Sequence, residues 1–113
     1  MEEQIEKAIE EFRIRENVGY KWIMNERLMM INMAFDQGDK SRIKSALQTT
    51  FSMLTPYINS RFKKCRCKKK ISELSNIRDK KDFIQEAHEV YCVLLKIMHS
   101  HNMLFSEVPI TLG

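Results

Sequence analysis

The sequence predicts an all-α fold, and three observations carry that prediction. Ile43, Leu47, Phe51, Leu54, Ile58, Phe62 and Cys65 step by four, four, three, four, four and three, which is the period of a helix buried along one stripe. Only three Gly and two Pro occur in 113 residues, too few for the many turns of an all-β domain. Hydrophobic residues make up 43% and charged residues 30%, a balance that can build a core and argues against a disordered chain. A chain of this length fits one core rather than two, so residues 1–113 are expected to form a single helical domain.

Residues 2–35 read as one long helix. Ile5, Ile9, Phe12, Glu16, Gly19, Ile23, Arg27, Met30 and Ala34 follow three-four spacing, with Glu16 and Arg27 interrupting the apolar stripe. Beyond Val18 the apolar face widens to take in Tyr20, Trp22, Leu28, Met29, Ile31 and Met33. A helix apolar on most sides is expected to be covered on most sides. Gly19 costs about 1 kcal/mol against Ala inside a helix, so a packing reason or a break is expected there. Gly38 suits a left-handed stop, and Asp39 or Ser41 can cap the next helix.

The second helix is expected over about 41–75. Pro56 lies inside its stripe, where proline removes an N–H and clashes with the carbonyl of Ser52. Because the stripe continues unshifted past Pro56, a kinked helix is expected rather than two helices. Residues 75–79 read as a loop, with Asp79 as cap for a third helix over about 80–100. Phe83, Ala87, Val90, Tyr91, Leu94 and Met98 form its buried face, and Asn102 can stop it. Residues 103–113 read as an apolar tail containing Pro109. So apolar a tail is expected to dock on something. The architecture expected is a helical bundle: a long antiparallel hairpin of 2–35 and 41–75, with the third helix laid across it. Pairing about the turn sets Gly19 against Tyr57, where close backbones would give the glycine its reason.

No apolar run approaches the roughly 18 residues of a membrane span. The opening Met1-Glu2-Glu3 lacks the basic-then-apolar order of a signal peptide. Three cysteines cannot pair off within one chain, and the single-residue gap between Cys65 and Cys67 makes a poor disulfide. An intracellular, cytoplasmic chain with free thiols in a reducing compartment is therefore expected.

Residues 61–70 form the strongest charge feature. Arg61, Lys63, Lys64, Arg66, Lys68, Lys69 and Lys70 are seven cations with no acid among them, in a chain whose net charge is +4. Such a cluster is what a phosphate backbone attracts. The competing structural reading is charge pairing inside the hairpin, which would set 61–70 against 6–15 and its acids Glu6, Glu10 and Glu11, with Glu16 adjacent. Phe62 falls in the core stripe, so it is not expected to stack on bases.

Metal and catalysis find less support. His88, Cys92 and His99 are spaced by four and seven and share a helix face, a weak metal candidate. Leu95 lies in the same stripe, a closed site needs a fourth ligand, and Cys65 and Cys67 differ by about 200° around a helix. The three glycines are isolated, so there is no phosphate loop, and nothing supplies a third group beside His88 and Cys92. Neither a cofactor nor a small-molecule substrate is implied, and no enzyme is expected.

The sequence thus predicts a helical protein-interaction or assembly module, self-associating as a homo-oligomer or joining a protein partner. Trp22, Met29, Met30 and Met33 are the interface candidates, since two neighbouring helices cannot cover them all and methionine lines adaptable surfaces. Nucleic-acid or other polyanion binding through 61–70 is the alternative.

Overall fold

The computed structural model describes residues 2–104 and, within them, the side chains of all but 9–18. The expected docking of the tail therefore lies outside the described residues beyond Leu104.

The first helix, α1, runs over Glu2–Gln37, 36 residues without a break. Gly38 ends it at φ 66°, its amide shared between the carbonyls of Ala34 (3.1 Å) and Phe35 (3.0 Å). That left-handed geometry is the one glycine adopts without penalty. Asp39 comes next as a cap, accepting from the amides of Ser41 (3.0 Å) and Arg42 (3.4 Å), and α2 spans Lys40–Leu54. A two-residue connection leaves α2 only one direction, back along α1. The register of this hairpin is the expected one. The Tyr20 and Tyr57 rings lie 5.4 Å apart, and Arg27 Nε donates to Thr50 Oγ1 at 3.3 Å.

At Pro56 the chain departs from expectation. The continuous kinked helix over 41–75 is replaced by two helices with a real break between them. Thr55–Tyr57 is a single 3₁₀ turn, Ile58 is extended at φ −96° and ψ 107°, and Ser60 caps a new helix, α3, over Arg61–Glu73. Two devices act together. Pro56 has no N–H to offer the Ser52 carbonyl, which instead accepts from Thr55 Oγ1 at 2.8 Å. Ser60 Oγ then accepts from the Lys63 amide at 3.3 Å, satisfying a helix start that a continuous helix would not need.

The extended residues also reset the helical phase. Ile43, Leu47, Phe51, Leu54 and Ile58 are buried as the stripe requires, but Phe62 and Cys65 are exposed. Cys67, Ile71 and Leu74 take their place in the core. A period describes rotation only along an unbroken helix, so it loses its meaning at Ile58.

A short 3₁₀ turn, Leu74–Asn76, leads to the Asp79 cap and to α4 over Lys80–Ser100, the boundaries expected from the sequence. Asp79 Oδ1 accepts from the Asp82 amide at 3.0 Å. The C-terminus closes as a Schellman motif. Asn102 sits at φ 53°, its amide bonds to His99 O, the Met103 amide reaches Met98 O at 2.9 Å, and Met98 and Met103 are both buried.

The four α-helices surround one core, with α2 packed on α1, α4 and α3, and α3 packed on α2 and α4. No strand occurs among the described residues, and none of their helices is long and apolar enough to cross a membrane. α3 turns away at Pro56, and the buried positions among the described side chains of α1 are Met24, Leu28, Ile31 and Ala34, all in its C-terminal half. The N-terminal half continues past the Tyr57 end of the bundle, and residues 2–8 are all exposed. The described molecule measures 63 × 29 × 21 Å. Gly19 faces open space: a Cβ there would meet nothing within 4 Å, so the expected close approach to Tyr57 is absent.

Candidate interaction surfaces

The outer face of α1 is built by helical rotation alone. At about 100° per residue, Trp22, Met29 and Met33 fall within a roughly 40° arc. Met24, Leu28 and Ile31 fall on the opposite side and are buried in the core. The methionines therefore divide: Met24 is core, while Met29 and Met33 are 64% and 56% exposed and Trp22 is 66% exposed. Met30 and Ile23 flank the arc and are also exposed. Beside Met30 and Met33 a groove of about 370 Å³ runs between α1 and α2. Arg27 forms its floor, half-buried and held by Thr50 Oγ1 and by the Ala46 carbonyl at 3.4 Å. Thr50 Oγ1 in turn donates to Ala46 O at 2.8 Å, so this fully buried hydroxyl is satisfied on both sides.

The second surface is α3. Arg61, Lys63, Arg66, Lys68 and Lys69 are exposed, and Lys64 and Lys70 are half-buried. Glu73 lies 3.9 Å from Lys69 and Glu89 lies 3.6 Å from Lys70, both solvent-facing pairs of small energetic weight. The charge pairing expected between 61–70 and 6–15 required this segment to continue along α1. It packs instead on α2 and α4. Glu6 is exposed, and the expected pairing with Glu10, Glu11 and Glu16 lies outside the described side chains. Phe62 is 74% exposed on the side shared by Arg66 and Lys69. The sequence placed it in the core; the signal that corrects it is Ser60, a cap residue four positions beyond a proline.

Between α3 and α4 lies an open groove of about 500 Å³. Ile58, Val93 and Ile97 give it an apolar floor, and Lys63, Arg66, Lys70 and Lys96 surround it. Lys96 could not be joined to this cluster from the sequence, because only the packing of α4 on α3 brings it to the others. Cys67 borders the same groove. Burial pushes its thiol pKa up, with the nearby Lys70 and Arg66 charges opposing the shift.

His88, Cys92 and His99 do not converge. Cys92 Sγ lies 3.7 Å from His88 Nδ1, but the seven-residue step to His99 is about 10 Å of helix rise, far beyond metal-ligand reach. Among the described residues no three His, Cys, Asp or Glu side chains are grouped to hold a metal. His88 packs instead on Phe35 and Tyr91, with ring centroids 6.0 Å from each. Tyr91 is buried, which pushes its hydroxyl pKa up, while the Asn32 side chain opposes the shift.

No family model, curated protein or solved structure matches this chain.

Proposed function

We propose that this protein is a helical assembly module that associates with further copies of itself through the outer face of α1. One observation carries this reading: Trp22, Met29 and Met33 form an exposed apolar arc on the side of α1 opposite its buried face. Water-exposed apolar surface of this kind on a folded chain marks a contact surface. Covering one such side chain fully contributes on the order of 1.5–3 kcal/mol. The test is sedimentation across a concentration series of the full chain and of Met29→Glu with Met33→Glu. The parent is expected to be oligomeric at micromolar concentration, and the double variant monomeric with an unchanged helical circular dichroism spectrum. A parent that sediments as a monomer throughout would overturn the reading.

A second reading has its own observation. Phe62 stands exposed beside Arg66 and Lys69, the combination of aromatic face and cations that single-stranded nucleic acid recognises. On this reading the chain is retained on heparin with steep salt dependence, and Phe62→Ala weakens single-stranded DNA binding about tenfold or more, since one stacked base is worth roughly 1–3 kcal/mol. Salt-independent behaviour, or an unchanged affinity in Phe62→Ala, would remove it.

A further inference from the structure

Residues 2–8, the acidic start of α1, are exposed. They are part of one unbroken helix, and Tyr20 is held at the Tyr57 end of the bundle. Ile5 lies 15 residues before Tyr20, about 22 Å further along the axis of α1. This arm and the groove between α3 and α4 are complementary. Ile5 is 60% exposed, and Glu2 and Glu6, one turn apart, stand on the same flank of it, both exposed. The groove offers the reverse: an apolar floor of Ile58, Val93 and Ile97 under Lys63, Arg66 and Lys96. Its lining includes Ile58 and Ser100, the chain neighbours of Tyr57 and His101, whose rings meet at 5.6 Å, so one end of the groove lies at the end of the bundle from which the arm of α1 projects. Residues 1–16 carry six acids against three bases, and 61–70 carry seven cations.

We infer that the groove between α3 and α4 receives the acidic N-terminal arm of α1 from a second copy of this chain. Ile5 of the arm covers Val93 and Ile97, while Glu2 and Glu6 face Lys63 and Lys96. The complementarity expected within the hairpin is thereby met between molecules. Exchange of arms between two copies meeting at their Tyr57 ends makes the contact isologous and closes it at a dimer. This inference rests on the reading of the protein as self-associating, and adds to the outer face of α1 a second, salt-sensitive contact.

The experiment is a charge swap on the full chain, read by sedimentation at fixed concentration and low salt. Three variants are needed: Glu2→Lys with Glu6→Lys, Lys63→Glu with Lys96→Glu, and Glu3→Lys as a control, since Glu3 lies about 160° around the helix from Ile5. Each double variant is expected to weaken association about tenfold or more. Mixing the two double variants is expected to restore a heterotypic complex, because a basic arm then meets an acidic groove. Glu3→Lys is expected to change association far less. An unchanged dissociation constant in Glu2→Lys with Glu6→Lys, or no recovery on mixing, overturns the inference. So does a Lys63→Glu, Lys96→Glu variant that loses heparin retention while associating normally, an outcome that assigns the groove to a polyanion. If Met29→Glu with Met33→Glu abolishes association while the charge variants do not, the assembly reading stands and this inference falls. A monomeric parent ends both.

Discussion

Cys65 and Cys67 are two residues apart and live in different environments, because two residues are about 200° apart around a helix. Cys65 faces solvent, Cys67 is buried, and Cys92 lies between these extremes. Only the thiolate is nucleophilic, and burial raises the pKa of Cys67, so two effects protect the same thiol. Iodoacetamide at pH 8 is expected to alkylate Cys65 at least tenfold faster than Cys67, as mass spectrometry of timed digests will show. Comparable rates would mean that α3 does not pack as described. The pH dependence has a definite sign. An acid whose folded pKa is raised contributes its full stabilisation below its unfolded pKa and loses it as pH rises. Cys67 and Tyr91 both belong to this class, so their contributions hold at neutral pH and fade on the alkaline side, starting near the ordinary thiol value of about 8.5. Gly19 offers a further single-residue test. It sits inside α1, exposed, with open space where a Cβ would go. Gly19→Ala is therefore expected to stabilise the chain by up to about 1 kcal/mol, seen as a higher Tm. A lower Tm would show that the helix needs its glycine.

Among the helices and their connections, the helix ends are where sequence and structure agree best. Gly38, Asp39 and Asp79 act locally, through a backbone angle or a side-chain oxygen within three residues of its target, so no tertiary contact is needed to foresee them. Asp79→Ala is expected to cost about 1 kcal/mol, a Tm drop of roughly 4–8 °C for a domain of this size, with Asp79→Asn close to the parent. Ser60→Ala is expected to cost less, because its cap bond is longer (3.3 Å against 3.0 Å) and carries no charge at the helix N-terminus. Equal thermal melts for Asp79→Ala and the parent would contradict the cap. The break at Pro56 was harder to foresee. A proline inside a continuing apolar stripe is compatible with a kink, and only the short extended stretch at Ile58 and the cap at Ser60 decide for a new helix. Phe62 shows the consequence, since its spacing from Ile58 is helical while its environment is solvent.

In the molecule as a unit, the decisive event is that α3 leaves α1 and packs on α2 and α4. That one change forms the cationic groove between α3 and α4, and residues 2–8 at the start of α1 are left exposed. In the assembly proposed above, a second copy would make two contacts of different physical kind. Screening lengths shrink from about 10 Å at 0.1 M salt to about 3 Å at 1 M, so a charge contact fades with salt and an apolar one does not. Association of the parent is expected to weaken with salt to a plateau, and the Met29→Glu, Met33→Glu variant to be monomeric at 1 M salt. Sedimentation of both across a salt series checks this. A variant that still associates at 1 M salt would locate the apolar contact elsewhere.

The all-α class, the hairpin register about Gly38, the capped ends and the buried face of α4 were all legible in the amino-acid sequence, because each depends on residues within a few turns of one another. Trp22, Met29, Met30 and Met33 were likewise more than two neighbours could cover, and all four are exposed. Packing between helices settled the rest: which side of α3 is buried, that Met24 belongs to the core, and that Lys96 stands with Lys63 and Arg66. Periodicity fixes how residues are disposed around their own helix axis. It carries no information on which other helix lies against that axis, and that is set by where the chain breaks and how α2, α3 and α4 share one core.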